Sequence, residues 1–466
     1  MNTEELLTIA NQAVFKLTNE YLSDLQSELL KASCKNQTYE QFAEIHGYCI
    51  DYIKKDVGCK LWHLLSEALG EKVTKKNFKQ ALERGKQNGN IVVPSMMKIQ
   101  QNHRRDWGIA PDVSAFYGRK RELETLKQWI TQDRCRVVAI LGMAGIGKTF
   151  VATKLVEEIE DKFDSVIWCS LRNEPCLKSI LNEIVGFLSN QQQNNAEIKN
   201  LLECMRSSRC LIILDNLESI LQSGDFAGKY RNGYEQYGEL LRLVEETYHQ
   251  SCLILTSREK SFEIASQETT KSLVRCLKLS GSLEAAQAII SWQTLLGSDE
   301  QKQDLCRRYG YNPQILKIIA TLIKDVFDGE IEEFLNQDTV AFNSIRMFFN
   351  QQFERLSEIE QIIMYSLSIS GGWTSIYELL EDINTPISQT KILEALQSLV
   401  WRSLIDKRGN KYFLKPVMID YINERLIEQI EIKSASTYMV GGTTYERLKN
   451  IVKRNTEIQS QQILAF

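Results

Sequence analysis

Residues 142–149 read GMAGIGKT, a glycine, four residues and then Gly-Lys-Thr, set between the apolar run RVVAIL and a stretch whose apolar residues keep helical spacing. This turn constrains the fold more than any other feature, because it works only between a strand and a helix. Gly142, Gly145 and Gly147 let the backbone wrap phosphate oxygens, and the N–H groups opening the helix at Lys148 offer them the positive end of its dipole. Lys148 is set to reach the outer phosphates, and the Thr149 hydroxyl to ligate Mg2+. Ala144 and Ile146 within the loop, and Phe150 just beyond it, complete the predicted contact with a bound nucleotide.

Around this turn, from residue 116 to about 279, the apolar runs RVVAIL, SVIWCS, CLIIL, CLILTS and CLKLS alternate with helical stretches. That alternation predicts an α/β domain whose parallel sheet is covered by helices on both faces. Residues 3–88 are helical in pattern, with no proline before Pro94, and GNIVVPS, QQNHRRD and APD then read as a linker. Beyond Ser282 the pattern is helical again until SLIDKRGNKYFL, residues 403–414, a predicted hairpin with its turn at Arg408, Gly409 and Asn410. Helices closed by a hairpin resemble a winged helix.

At 466 residues the chain exceeds one ordinary core, which implies about two to four domains. With 43% apolar and 25% charged residues, each can bury a core. A net charge of -4 and a pI near 5.9 argue against wholesale coating of nucleic acid. Eleven cysteines without zinc-ligand spacing fit a reducing cytosol. The opening MNTEELLTIANQ is not a signal sequence, and no apolar stretch is long enough to span a bilayer. A cytoplasmic protein with no membrane partner is expected.

A magnesium-nucleotide site also needs a carboxylate at the end of a neighbouring strand. RCLIILDNLESI supplies Asp215 after four apolar residues, where ligands bind in open α/β sheets. Taken alone, such an aspartate is more often a turn residue or a cap; the upstream loop makes it a metal ligand. The next residue, where hydrolases often carry a water-activating glutamate, is Asn216, an amide that cannot act as a general base. Glu218 follows on the next turn. SCLILTSREK then ends a predicted strand in Arg258, whose charge and fork geometry suit a γ-phosphate. Lys148, Asp215 and Arg258 are the expected reactive set.

FYGRKRELETLKQWI, LGMAGIGKT, LIILDN, LILTSR and YGYNPQILKIIA follow one another in the order and approximate spacing of NB-ARC domains. Residues 115–430 thus resemble the STAND class of signal-transduction NTPases, to which plant resistance proteins and the apoptosome ATPase belong. The resemblance implies that Phe116, Tyr117, Gly118 and Arg119 lie against adenine, that Asp215 and Thr149 hold magnesium, and that Arg258 senses phosphate. Asn312 and Pro313 resemble the motif that leads into a helical ARC unit and touches the nucleotide. The implied chain is multidomain: an all-α helix-turn-helix unit at 1–90, a linker at 91–114, a P-loop domain at 115–281, a helical ARC unit at 282–345, a winged helix at 346–430 and a tail at 431–466. Where the family carries methionine-histidine-aspartate this chain has Leu414, Lys415 and Pro416, so the Lys415 ammonium is the candidate to replace the histidine's contact with phosphate. No sensor repeat follows, as in either a naturally short form or a truncated gene.

In residues 38–69, Ala43 precedes Gly47 by four positions, and apolar Tyr48, Ile50 and Ile53 follow. That describes a helix-turn-helix, and it resembles the N-terminal unit of bacterial STAND and von Willebrand/MoxR-associated proteins. Lys54, Lys55, Lys60, Lys72, Lys75, Lys76 and Lys79 could meet DNA phosphate, but Glu40, Glu44, Asp51 and Asp56 are interleaved with them. Trp62, Leu64 and Leu65 are expected to pack helices, and His46 and His63 to be ordinary residues. The reading is an ADP/ATP switch that exchanges nucleotide, opens and self-associates with protein partners. A nucleotide-regulated DNA-binding regulator and a conventional ATPase are the alternatives.

Overall fold

The computed structural model describes residues 3–18, 22–35, 37–46, 48–87, 104–190, 197–269, 272–337, 343–383 and 387–436. It divides into two compact units, residues 1–101 and 102–466.

The first unit is all helical. Its helices Thr3–Thr18, Asp24–Cys34, Tyr39–His46, Gly58–Leu69 and Phe78–Gln87 enclose a core of Ile9, Leu30, Phe42, Ile53, Leu61 and Leu82. Ser23 and Gln26 form a reciprocal cap at the start of the second of these, and the chain enters the fourth at Gly58 through a π-turn, Ile53–Val57. Ala43 and Ile53 are buried, as a helix-turn-helix requires, whereas Tyr48 and Ile50 are exposed. Gly47 lies outside the described residues, as do residues 88–103 of the linker region. Trp62 packs on Phe78 with ring centroids 5.4 Å apart and donates its indole N–H to the Tyr39 hydroxyl at 2.7 Å. Leu65 is fully buried and Leu64 partly so; His46 and His63 sit at the surface.

In the second unit six parallel strands form one sheet: β1 (Arg104–Asp106), β2 (Val137–Leu141), β3 (Ser165–Ser170), β4 (Cys210–Asp215), β5 (Cys252–Ser257) and β6 (Val274–Lys278), in the spatial order β1-β3-β4-β5-β2-β6. Val137, Ala139 and Leu141 of β2 face helices Leu177–Leu188, Ile198–Ser207 and Gln236–Glu246, while Val138 and Ile140 face Lys120–Thr131 and Lys148–Ile159. Burial on both faces is why β2 to β5 read as unbroken apolar runs. Two expectations shift. The predicted CLKLS strand lies two residues earlier, and the stretch taken as linker supplies β1, the sheet's edge.

Helices from Leu283 onward share one core, containing Ile290, Leu316, Ile319, Phe349, Met364, Leu396 and Tyr421. The stretches 282–345 and 346–430 therefore form one packed body rather than two with separate cores. Helices Glu358–Ser370, Ile376–Asp382 and Gln389–Trp401 precede the predicted hairpin, whose strands β8 (Ile405–Arg408) and β9 (Lys411–Leu414) join β7 (Thr374–Ser375) in the order β7-β9-β8. Gly409 turns it at φ 61°. Helix Pro416–Ser436 runs through the expected boundary at 430/431, and residues 437–466 lie outside the described residues.

Candidate nucleotide site

The strands' C-terminal edge opens into a cleft of about 570 Å3. Its floor is the turn after β2. Gly145 (φ 71°) is enforced twice, since a side chain there would also meet the Gln314 Cβ at 2.6 Å. Gly147 (φ 99°) starts helix Lys148–Ile159 in a left-handed conformation that leaves the first N–H groups free to point outward.

Lys148 is buried, and its Nζ donates to the carbonyls of Gly142 (2.9 Å) and Met143 (3.1 Å). Burial draws its pKa down to about 8, Glu218 and Asp215 opposing the fall and Arg258 adding to it. Beside it the Thr149 hydroxyl donates to Asp215 Oδ1 at 2.9 Å, and Thr256 donates to the same oxygen at 2.5 Å. Burial pushes the Asp215 carboxyl up despite these two hydrogen bonds. Asn216 follows in a left-handed conformation (φ 68°), its N–H on Thr256 Oγ1 at 3.0 Å. Glu218 turns back into the cleft: its Oε1 lies 2.9 Å from Arg258 Nε, and its Oε2 accepts the Arg258 N–H at 3.2 Å. The Glu218 carboxylate, which the sequence placed only on the following turn, thus stands beside the phosphate loop, engaged by an arginine.

Phe116, Tyr117, Arg119, Gly145, Ile146, Gly147, Lys148, Thr149, Phe150, Asp215, Arg258 and Pro313 all line this cleft. Gly118, Gly142 and Ala144 do not. Gly118 makes a turn so tight that a Cβ would lie 2.9 Å from that of Glu284, and Gly142 approaches the Leu279 carbonyl. Ala144 is held by its backbone, its carbonyl accepting from Asn312 Nδ2 at 2.9 Å and its N–H donating to Gln352 at 3.4 Å. Arg119 also reaches the loop itself. Its guanidinium donates to the Ile146 (3.2 Å) and Ser280 (2.5 Å) carbonyls and pairs with Glu122, so it braces the phosphate loop.

Lys415 is also corrected. Its ammonium lies 3.1 Å from Asp406 Oδ2 and borders a separate cavity of about 200 Å3 behind the loop, not the nucleotide cleft. Sequence reasoning missed Arg172, Trp292, Gln314 and Lys317, which also line the cleft. Arg172 had a signal, since it follows β3 much as Arg258 follows β5. Trp292 had none; it meets Tyr117 edge-on, with centroids 4.8 Å apart, only through tertiary packing.

Two family models match the chain. Residues 119–294 match the NB-ARC domain, and residues 1–85 match the N-terminal helix-turn-helix of vWA-MoxR associated proteins. Residues 119–294 thus carry an NB-ARC domain. The chain is 46% identical over 344 residues to an uncharacterized WD repeat-containing protein of Nostoc sp. (strain PCC 7120), covering 70% of itself and 27% of that relative. It is 31% identical over 98 residues to the disease resistance protein Pik-2 of Oryza sativa subsp. japonica, 19% of this chain and 10% of that one. It therefore spans about a quarter or less of these relatives' lengths.

Among solved structures, a STAND protein with a tetratricopeptide repeat sensor from Pyrococcus horikoshii aligns at 19% identity over 70% of this chain and 46% of that one, TM-score 0.35. A Walker-type ATPase of Pyrococcus abyssi aligns at 12% identity over 68% and 99%, TM-score 0.48. The NB-ARC match supports nucleotide binding, and most of the residues predicted for it line the cleft.

Proposed function

We propose that the protein is an ADP/ATP-binding switch of signal transduction, in which nucleotide exchange controls opening and self-association. One observation carries this reading: the phosphate loop is held from two sides. The sheet supplies it, and the helical body grips it through Asn312 and Gln352 on Ala144 and through the Gln314 N–H on the Gly145 carbonyl at 3.3 Å. A nucleotide in the cleft touches both bodies, so a difference in affinity between open and closed forms suffices to switch it.

Thr149 and Asp215, two oxygen donors in contact at the cleft wall, are the residues that fit Mg2+. The ion would supply charge neutralisation for bound phosphates. Lys148 would anchor the outer phosphates and Arg258 would read the last one, while Arg119 keeps the loop in shape. Asn216 at the usual base position, with Glu218 tied to Arg258, favours slow turnover over a conventional ATPase.

The helices 358–401 with their three-stranded sheet take the part of the winged helix. For the N-terminal unit a protein partner is the better reading than DNA. Of its seven candidate lysines, Lys55 and Lys60 pair with Asp51 and Asp56, and Lys75 and Lys79 donate to the Gln37 and Cys34 carbonyls. Eleven free cysteines suit a cytoplasmic setting; no described helix is long and apolar enough to cross a membrane.

The deciding experiment purifies the protein without added nucleotide, denatures it and identifies what is released, with Lys148→Ala alongside. Near-stoichiometric ADP from wild type and none from the variant is expected. An empty wild type that hydrolyses added ATP many times per minute would overturn the switch.

A further inference from the structure

The second cavity, about 200 Å3 behind the phosphate loop, is walled by Met143, Ile146, Leu279 and Val417 and edged by Asp406 and Lys415. Met143, Ile146 and Leu279 are buried and Val417 partly so, which gives the interior an apolar lining. An apolar cavity of about 150 Å3 holds one benzene, so this one suits a body of roughly six to ten non-hydrogen atoms. It is well under half the size of the cleft in front of the loop.

Charge at its edge is unbalanced. Where the sheet and the helical body meet at Arg402, two guanidiniums, Arg355 and Arg402, face two carboxylates, Glu259 and Glu360. At the cavity two ammoniums share one carboxylate: Lys415 Nζ lies 3.1 Å from Asp406 Oδ2, and Lys278 Nζ lies 3.3 Å from Oδ1. One positive charge is left over. Burial draws the Lys278 pKa down, and the neighbouring Lys415 ammonium adds to the fall. Helix Pro416–Ser436 starts at the same wall, and the N–H groups of its first turn add positive potential there. A single negative charge on an apolar body answers both features. A phosphate monoester carries about 1.5 to 2 negative charges at neutral pH and overshoots the surplus, whereas a carboxylate carries one. A zwitterion would set a third ammonium against the two lysines.

We propose that this cavity is a second ligand site, which takes a small carboxylate with an apolar body, its charged end at Lys415 and its body against Met143 and Val417. Ile146 lines both this cavity and the nucleotide cleft, so an occupant bears on the phosphate loop from behind and couples to nucleotide by reciprocal linkage. The coupling rests on the nucleotide reading above; the site does not.

The test titrates the full chain calorimetrically with two probes of one shape, isocaproate and the uncharged isocaproamide, in wild type, Lys415→Gln and Val417→Phe. Saturable binding of the acid is expected, with the amide at least about tenfold weaker and each variant at least about tenfold weaker for the acid, as loss of a charge-assisted contact or of cavity volume warrants. A ligand of this size reaches a Kd on the order of 0.1–1 mM, so no saturation by about 10 mM acid would overturn the site. Equal binding of acid and amide, or a folded variant that binds the acid as wild type does, would overturn it too. If neither variant folds, the comparison of acid with amide in wild type decides alone. Saturating acid should change ADP affinity about fivefold or more. Acid binding with unchanged ADP affinity would uphold the site and overturn the coupling. Acid binding by a protein that binds no ADP would uphold the site and sink the switch.

Discussion

At the scale of single residues, Lys148 is a buried charge held by backbone carbonyls. Its ammonium rests on two carbonyls, and burial holds its pKa down to about 8. Phosphate oxygens would compensate it better. Lys148→Ala should therefore weaken nucleotide binding by about 1.5–3 kcal/mol, the range for charge-assisted hydrogen bonds, or roughly ten- to a hundredfold. Titration with a fluorescent ADP checks this; unchanged affinity would remove the loop's assigned role. Asp215 is a separate case, since its partners are the Thr149 and Thr256 hydroxyls rather than a cation. Asp215→Ala should abolish the dependence of affinity on magnesium while leaving metal-free binding largely intact. A wild-type magnesium titration in that variant would exclude Asp215 as the ligand.

At the scale of elements, helix Pro313–Val326 couples the cleft to the helical body. Asn312 does two tasks with one side chain: its Oδ1 caps the helix on Gln314 and Ile315, and its Nδ2 holds the Ala144 carbonyl. Pro313 at the first turn needs no hydrogen bond and suits the cap. Asn312→Ala should cost about 1–2 kcal/mol from the cap alone, and it should loosen nucleotide as well, which a cap elsewhere would not. Thermal melting and ADP release measured together separate the two effects.

The elements also mark what sequence could convey. β2 to β5 were legible because both faces are buried and the runs are apolar, and the phosphate loop because its glycines serve a local turn. β1 was not, because Arg104 and Arg105 pair on one side only and are anchored by their side chains on the Phe187 and Glu160 carbonyls. The Glu259–Arg402 contact spans 143 positions, and neither residue carries a local pattern that announces the other.

At the scale of the whole molecule, the two compact units differ in what holds them. Residues 1–101 have their own core and their own part-buried polar contact between Trp62 and Tyr39. A unit with a separate core should unfold as a separate cooperative transition, so calorimetry of the full chain should resolve at least two. Tyr39→Phe makes the assignment. It keeps the ring under the Lys75 ammonium, 4.0 Å away, and removes only the hydroxyl that accepts from Trp62. Loss of one such bond costs about 1 kcal/mol, which in a domain of this size lowers its midpoint by roughly 4–8 °C. That shift should appear in one transition and leave the nucleotide-stabilised one in place. Added ADP should do the opposite, raising only the transition of residues 102–466, because a ligand stabilises the state that binds it. If Tyr39→Phe and ADP moved the same single transition, the units would fold as one, and the N-terminal helices would be part of the switch body instead of a domain it carries.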